Sequence, residues 1–312
     1  MALTNPRVTI MIPTYNQASF ICRAIESALA QDYLNLEIIV SDDCSSDNTR
    51  EVVAGYLHDQ RLKYYKNEIN IGRVANYKHT LTNLASGEWV VNLDGDDFYC
   101  DNTFISYGIS RIQYYNSERI IFIQTGRKRK EFDRLDENGE VDLPNILKEE
   151  LLLDGKDYIF NFLSYKHFSH LTTLYNRRKA IAIDFYRYNI ESSDMESILR
   201  LALYGDVLLS KRVSAVWVGH ENNTIRKKGL PDFDKNMLWI DGVYNEAKHL
   251  GADYEKLYKW RKKMMIHWLI IMLDWGRRRG QINLVLRYLW RNHRWIFLNR
   301  TLYDKAIKAL LR

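Results

Sequence analysis

Apolar runs that break off into polar residues set the pattern of the first hundred positions. Residues 8–12 (VTIMI) are mostly β-branched and lie between Pro6 and Pro13, and residues 36–40 (LEIIV) and 88–93 (EWVVNL) repeat the design. Short continuous runs of this kind fit strands buried on both faces of a parallel sheet. Between them the apolar positions switch to helical spacing. Ile21, Ala24, Ile25, Ala28 and Leu29 follow Ser19, the expected N-cap. Residues 47–57 form a helix with acidic residues in its first turn, and residues 74–85 form another that Gly87 closes as a C′ glycine. Residues 61–65 read as a third, more polar strand. Strands alternating with helices over short loops predict an α/β fold, a Rossmann-like, mostly parallel mixed sheet flanked by helices. Ligands bind at the carboxyl ends of strands in such sheets. Thr14 and Tyr15, Asp42 and Asp43, and the acidic run 94–97 all fall there.

The pattern is looser afterwards. A helix is expected over 103–117, a strand over 119–123, an exposed loop or hairpin over 126–140, and a mostly helical stretch over 143–162. Residues 172–175 read as a strand with a helix after it. Ser192, Ser193 and Asp194 cap a helix that runs to Leu203 and stops at Gly205. A further strand over 213–218 leads into His220, and beyond Pro231 the chain reads as helical.

Composition narrows the class. At 312 residues, 46% hydrophobic and 27% charged, the chain has enough apolar material for one large domain or two ordinary ones. Its first residues lack the charged-then-apolar pattern of a signal peptide, which makes the cytoplasm the default expectation. Cys22, Cys44 and Cys100 are odd in number at unrelated spacings, so neither a disulfide framework nor a zinc site is expected. The net charge of +6 conceals a division: residues 255–312 carry 15 Lys plus Arg against 3 Asp plus Glu, leaving the first 254 residues at −6. This basic extension also holds five of the eight tryptophans. Such a mixture suits an anionic membrane surface, with helix packing as the plainer reading and nucleic acid as the less favoured partner. No apolar run reaches the roughly 18 to 20 residues that span a bilayer.

Asp94-Gly-Asp-Asp97 at the end of a buried strand offers hard oxygen donors, the ligands of Mg²⁺ or Mn²⁺ shared with substrate phosphates. A solvated turn is the alternative, since Asp and Gly are common turn residues.

Taken in order, VTIMIPTYN (8–16), IIVSDDCSSDNT (38–49) and VVNLDGDD (90–97) resemble the family 2 glycosyltransferases with the GT-A fold. DMESILRLA (194–202) resembles the Glu-Asp motif helix of that family, and the strand 213–218 with His220 and Thr224 its post-catalytic segment. The resemblance implies a catalytic domain over 1–230, with a nucleotide-binding half (1–100) and an acceptor-binding half (101–230), and a helical extension over 231–312. It places Pro13 and Tyr15 against the nucleotide base and Asp43 on the uracil N–H, where an acceptor-only carboxylate suits an imide donor. Asp42 becomes a loop brace. Asp94 and Asp96 match the Asp-x-Asp pair, with Asp96 as metal ligand, Asp94 on ribose or metal, and Asp97 behind them or in the turn.

Asp194 matches the general base, against a reading in which it only caps its helix. Glu196 is the fallback, two residues on and therefore on another helix face. His220 completes the metal shell or touches the diphosphate, against a purely structural role. Arg73 reaches the diphosphate, against a solvated position. Two features depart from the family pattern: Ser193 stands where Glu is usual, and the Gln-x-x-Arg-Trp motif of processive synthases is absent. The resulting expectation is an inverting, metal-dependent, non-processive transfer from a nucleoside-diphosphate sugar, UDP-linked for preference, to a glycan or lipid-linked saccharide. The place of action is the cytoplasmic face of the membrane, and self-association is left open. A nucleotide-sugar-binding protein without transferase activity, and a nucleic-acid-binding protein acting through the basic tail, are the rival readings.

Overall fold

A computed structural model describes residues 5–115, 119–135, 138–221 and 230–292, with backbone alone at 230–232. Ten strands share one sheet: β1 Val8–Thr14, β2 Leu36–Asp42, β3 Leu62–Lys66, β4 Trp89–Asn92, β5 Phe98–Tyr99, β6 Ile120–Glu131, β7 Glu140–Asp142, β8 Glu150–Asp154, β9 Thr173–Asn176 and β10 Asp206–Gly219. Their order is β3-β2-β1-β4-β9-β6-β10-β5, with β7 paired to β6 and β8 to β10. β1 lies parallel to both β2 and β4, with Val8 level with Leu36 and Trp89. That register brings Thr14 level with Asp42 and Met11 level with Asn92, so the polar residues after each strand emerge at one edge.

β1 and β2 are buried along their whole length, as strands covered on both faces must be. The helix Ile21–Leu29 turns Ile21, Ala24, Ile25 and Ala28 into the core. Ser19 does not cap it. The cap residue is Phe20, and the Gln17 carbonyl accepts from the N–H groups of Phe20 and Ile21 instead. Gly87 likewise is not a left-handed cap, because the helix Arg73–His79 continues as a π-turn over Thr80–Leu84 and ends at Ala85. Glycine is needed there for close approach: a Cβ would stand 2.6 Å from the Thr9 nitrogen.

At 126–140, expected as an exposed loop or hairpin, β6 runs on to Glu131 and forms a hairpin with β7. The larger departure lies further on. Within the stretch read as helical, residues 150–154 form β8 against β10. A run of three leucines serves a buried strand and a buried helix equally well, and only pairing with the long β10 decides.

A buried carboxylate fastens the strands behind this edge. Glu37 accepts from Thr9 Oγ1 of β1 (2.7 Å), Lys63 Nζ of β3 (2.9 Å) and the N–H and Oγ of Ser86 (both 2.9 Å). Burial alone would raise its pKa, but these donors hold it down at about 2. A carboxyl depressed in the folded state stabilises fully above its unfolded value near 4.5 and loses that contribution as pH falls toward 2, a loss of about 3 kcal/mol. Glu37→Gln should therefore lower the unfolding free energy by about 2–4 kcal/mol at pH 7 and flatten its dependence on pH between 4.5 and 2, measured by urea unfolding.

The chain divides into two compact units, Met1–Asn189 with Ser193–Asn223, and Ile190–Ser192 with Thr224–Arg312. The described part of the second unit holds the helices Leu230–Asn236, Leu238–His249, Tyr254–Arg278 and Ile282–Asn292. In its core Trp239 meets Trp260 and Trp268 edge-on, and the Trp268 indole donates to the Phe233 carbonyl at 3.0 Å. Two of the tail's tryptophans are thus core residues. Trp290, Tyr254 and Tyr258 remain exposed, and residues 293–312 lie outside the described residues. No described helix is long and apolar enough to cross a membrane.

Candidate active site

The three loops at the sheet edge are tied to one another. Asn16, in the left-handed region at φ 53°, accepts through Oδ1 from the Ser46 N–H (2.8 Å) and donates its own N–H to Ser45 Oγ (2.8 Å). The Gln17 N–H reaches Thr49 Oγ1 at 3.2 Å, and the Ala18 N–H reaches Asp47 at 3.1 Å. The polar residues of the second motif are therefore lacing for the first loop. Pro13 is buried in β1 level with Ser41, while Tyr15 is 49% exposed beside it.

Asp42 and Asp43 separate in role. Buried Asp42 accepts from the Ser45 N–H (2.8 Å) and from the Tyr64 hydroxyl (2.6 Å), the bracing expected of it. Asp43 accepts from the N–H groups of Ile71 and Gly72, both at 2.8 Å, and from Asn67 Nδ2 at 3.0 Å. Gly72 adopts φ 89° with open space around its missing Cβ, so backbone conformation is what requires glycine there. Asp43 thereby shapes the loop that delivers Arg73. Three donors leave a carboxylate one of its roughly four lone-pair sites.

The acidic run places carboxylate oxygens of Asp94, Asp96 and Asp97 within 4.8 Å of one another. The Tyr77 hydroxyl donates to Asp94 Oδ1 at 2.5 Å. Burial, and then the Asp96 charge, lift the Asp94 carboxyl to about 6 against the opposing pull of Tyr77 and Arg73, and Asp194 adds to the rise. Burial, and then the charges of Asp96 and Asp94, raise the Asp97 carboxyl well above its ordinary value. Asp97 also accepts the Val218 N–H at 2.8 Å, fastening the motif to β10 two residues before His220. His220 Nε2 lies 2.7 Å from Asp96 Oδ2, and its ring stacks on Phe20 at 4.5 Å, which in turn meets Phe132 edge-on at 4.7 Å. Crowded hard-oxygen donors, with an imidazole nitrogen on one of them, fit a divalent cation. Thr224 lies outside the described residues.

Asp194 sits in the first turn of the helix Ser193–Ala202, accepting the Met195 N–H at 2.8 Å, so a local helix-end contact coexists with its place near the acidic run. Arg73 is solvent-accessible and lies over the Tyr77 ring, 5.5 Å from its centroid. Glu196 is consumed by structure: fully buried, it accepts from Arg187 Nε at 2.8 Å and Arg200 Nε at 2.9 Å. Arg200 also donates to the Ile183 and Asp184 carbonyls. Tyr77, His170, Tyr186, Phe20 and Phe132 went unnoticed in the sequence, since each is an aromatic ring without a spacing code.

A mixed sheet of this order, flanked by helices and with the acidic run at the end of β4 beside the loops after β1 and β2, is the GT-A fold. The model described as glycosyl transferase family 2 matches residues 9–181, more than half of the chain, and the chain belongs to that family. Among its relatives, the Escherichia coli UDP-Glc:alpha-D-GlcNAc-diphosphoundecaprenol beta-1,3-glucosyltransferase WfgD is 29% identical over 164 residues, 49% of this chain and 64% of that protein. Other curated relatives are matched over about a third of their own length. S. aureus TarS 1-349 in complex with UDP-GlcNAc shares the fold with a TM-score of 0.67 at 19% identity, covering 97% of this chain and 81% of that one. The Pyrobaculum calidifontis mannosyltransferase PcManGT, in complex with GDP-Man and Mn²⁺, does so with a TM-score of 0.59 at 14% identity, over 98% and 86% of the two chains.

Proposed function

We propose that the protein transfers a sugar, with inversion, from a UDP-sugar to a lipid-linked saccharide in surface-glycan synthesis. The observation that carries this reading is the trio Asp94, Asp96 and Asp97, with carboxylate oxygens within 4.8 Å of one another and His220 Nε2 2.7 Å from Asp96, at the edge where Tyr15 and Asp43 emerge. The Asp194 charge bears on Asp94 and Arg73, while Glu196 is tied to two arginines. One carboxylate remains for base work beside a charge-neutralising site. Tyr15 and Pro13 flank the base, the remaining acceptor site of Asp43 takes the imide N–H, and Arg73 and Asp94 hold the diphosphate and ribose. Asp96, Asp94 and His220 would hold Mn²⁺ or Mg²⁺, which when bound would neutralise charge on the leaving diphosphate. Asp194 takes the proton of the acceptor hydroxyl as it attacks the anomeric carbon, and a single displacement inverts that carbon. WfgD, whose name states a diphosphoundecaprenol acceptor, supports the lipid-linked class. The basic residues of 255–312, with exposed Tyr254, Tyr258 and Trp290, support docking on an anionic membrane face.

The reading is tested by thermal unfolding with UDP-, GDP- and dTDP-sugars, with and without Mn²⁺, followed by product analysis with the stabilising donor. A UDP-sugar plus Mn²⁺ should raise the midpoint by several degrees, since saturation at about 100 Kd adds about 2.7 kcal/mol. Stabilisation by a GDP- or dTDP-sugar alone overturns the UDP assignment. Binding without transfer or donor hydrolysis overturns the enzyme reading in favour of a sugar-nucleotide-binding protein.

A further inference from the structure

Beside Asp94 lies a chain of buried aromatic and polar groups that the roles above do not use. The ring of Tyr77, whose hydroxyl holds Asp94, meets His170 edge-on at 5.7 Å and Tyr186 at 5.3 Å. His170 Nε2 lies 2.7 Å from the Tyr186 hydroxyl, and that hydroxyl donates to Asn92 Oδ1 at 3.2 Å, where the Tyr175 hydroxyl also donates at 3.3 Å. A phenol has one proton. The Tyr186 hydroxyl has two acceptors in reach, and directing its proton to Asn92 makes Nε2 of His170 the donor to the Tyr186 oxygen; that Nε2–H tautomer is part of the proposal below.

The tautomer leaves Nδ1 with a lone pair. That atom has no hydrogen bond among the described residues, and the ring keeps 8% of its surface. Burial lowers the imidazole pKa to about 4, against the Asp194 charge that would raise it and with the Arg73 charge that lowers it further. The ring is thus a neutral acceptor at neutral pH, set among the charges of the proposed donor site. Nδ1 is not among the buried side-chain atoms that lack a partner, so its lone pair opens to solvent, where a ligand can reach it. A cation would go to the aspartates and an anion gains nothing from a neutral lone pair. A hydroxyl proton is what this atom can take.

We propose that His170 is a sugar-recognition residue whose Nδ1 accepts a hydrogen bond from a hydroxyl of the saccharide held near Asp94 and Asp194. The assignment rests on the transferase reading, and two measurements separate them. In the free protein, two-bond ¹H–¹⁵N correlation of the His170 ring should show the Nε2–H tautomer, and an Nδ1–H tautomer overturns the proposal. Calorimetric titration with UDP, UDP-glucose and UDP-GlcNAc in Mn²⁺ is then compared between wild type, His170→Phe and His170→Gln. UDP affinity should stay within about twofold in both variants. If the hydroxyl belongs to the donor, His170→Phe weakens a UDP-sugar about 3–10-fold. If it belongs to the acceptor, donor affinity holds and the KM for a lipid-diphosphate-linked sugar rises by the same factor. His170→Gln keeps a side-chain acceptor and should recover part of either loss. A folded His170→Phe protein unchanged in both arms overturns the proposal and leaves the transferase reading intact, whereas a wild type that binds none of the three nucleotides overturns both.

Discussion

Asp96→Asn should lower the rate of Mn²⁺-dependent sugar transfer about 10³-fold while leaving the fold in place. The substitution keeps the shape of the side chain and removes the charge that meets His220 at 2.7 Å and raises the proton affinity of Asp94 and Asp97. Electrostatic stabilisation of a leaving diphosphate amounts to several kcal/mol, and each 1.36 kcal/mol is tenfold in rate. Three carboxylates within 4.8 Å repel one another in the metal-free protein. Removing one charge should therefore leave the metal-free unfolding midpoint unchanged or slightly raised, while Mn²⁺ affinity, followed by the electron paramagnetic resonance signal of the free ion, falls by at least tenfold. An intact transfer rate would show that the cluster holds no catalytic cation. A midpoint lowered by several degrees would show instead that the Asp96–His220 contact serves stability.

The sequence patterns carried the front half of the molecule much further than the back. Residues 8–12, 36–40 and 89–92 are short, mainly apolar runs buried along their length, and such runs betray themselves without any partner in view. Their register then follows from parallel pairing, which is why Tyr15, Asp43 and Asp94 could be placed at one edge from spacing alone. β8 could not be read that way, because its leucines become a strand only where β10 runs beside them. The same limit governs the site. Asp94, Asp96 and Asp194 lie in recognisable motifs, while Tyr77 and His170, far apart in the chain, are brought together beside Asp94 by packing. Side chains that orient a site through tertiary contact leave no local period to detect. Glu196 shows the converse: its position two residues from Asp194 made it a candidate, and only the buried guanidinium of Arg200 reveals its structural task.

That contrast gives the second large effect. Asp194→Asn should reduce kcat by about 10²–10⁴-fold with the donor KM nearly unchanged, the range in which a general base contributes. Asparagine caps a helix about as well as aspartate and can still accept the Met195 N–H. A residue that only ended the helix Ser193–Ala202 would therefore tolerate the change, and stability should not distinguish the variant from wild type. Glu196→Gln should behave oppositely. It leaves the guanidinium groups of Arg187 and Arg200 without the carboxylate they share, and breaking such a buried pair costs about 3–5 kcal/mol. The unfolding midpoint should drop sharply, and the protein that remains folded should retain most of its specific rate. Unfolding curves paired with kcat for the two variants decide the matter. A stable Asp194→Asn protein with full turnover would remove Asp194 as the base, and a stable but inactive Glu196→Gln protein would transfer that role to Glu196.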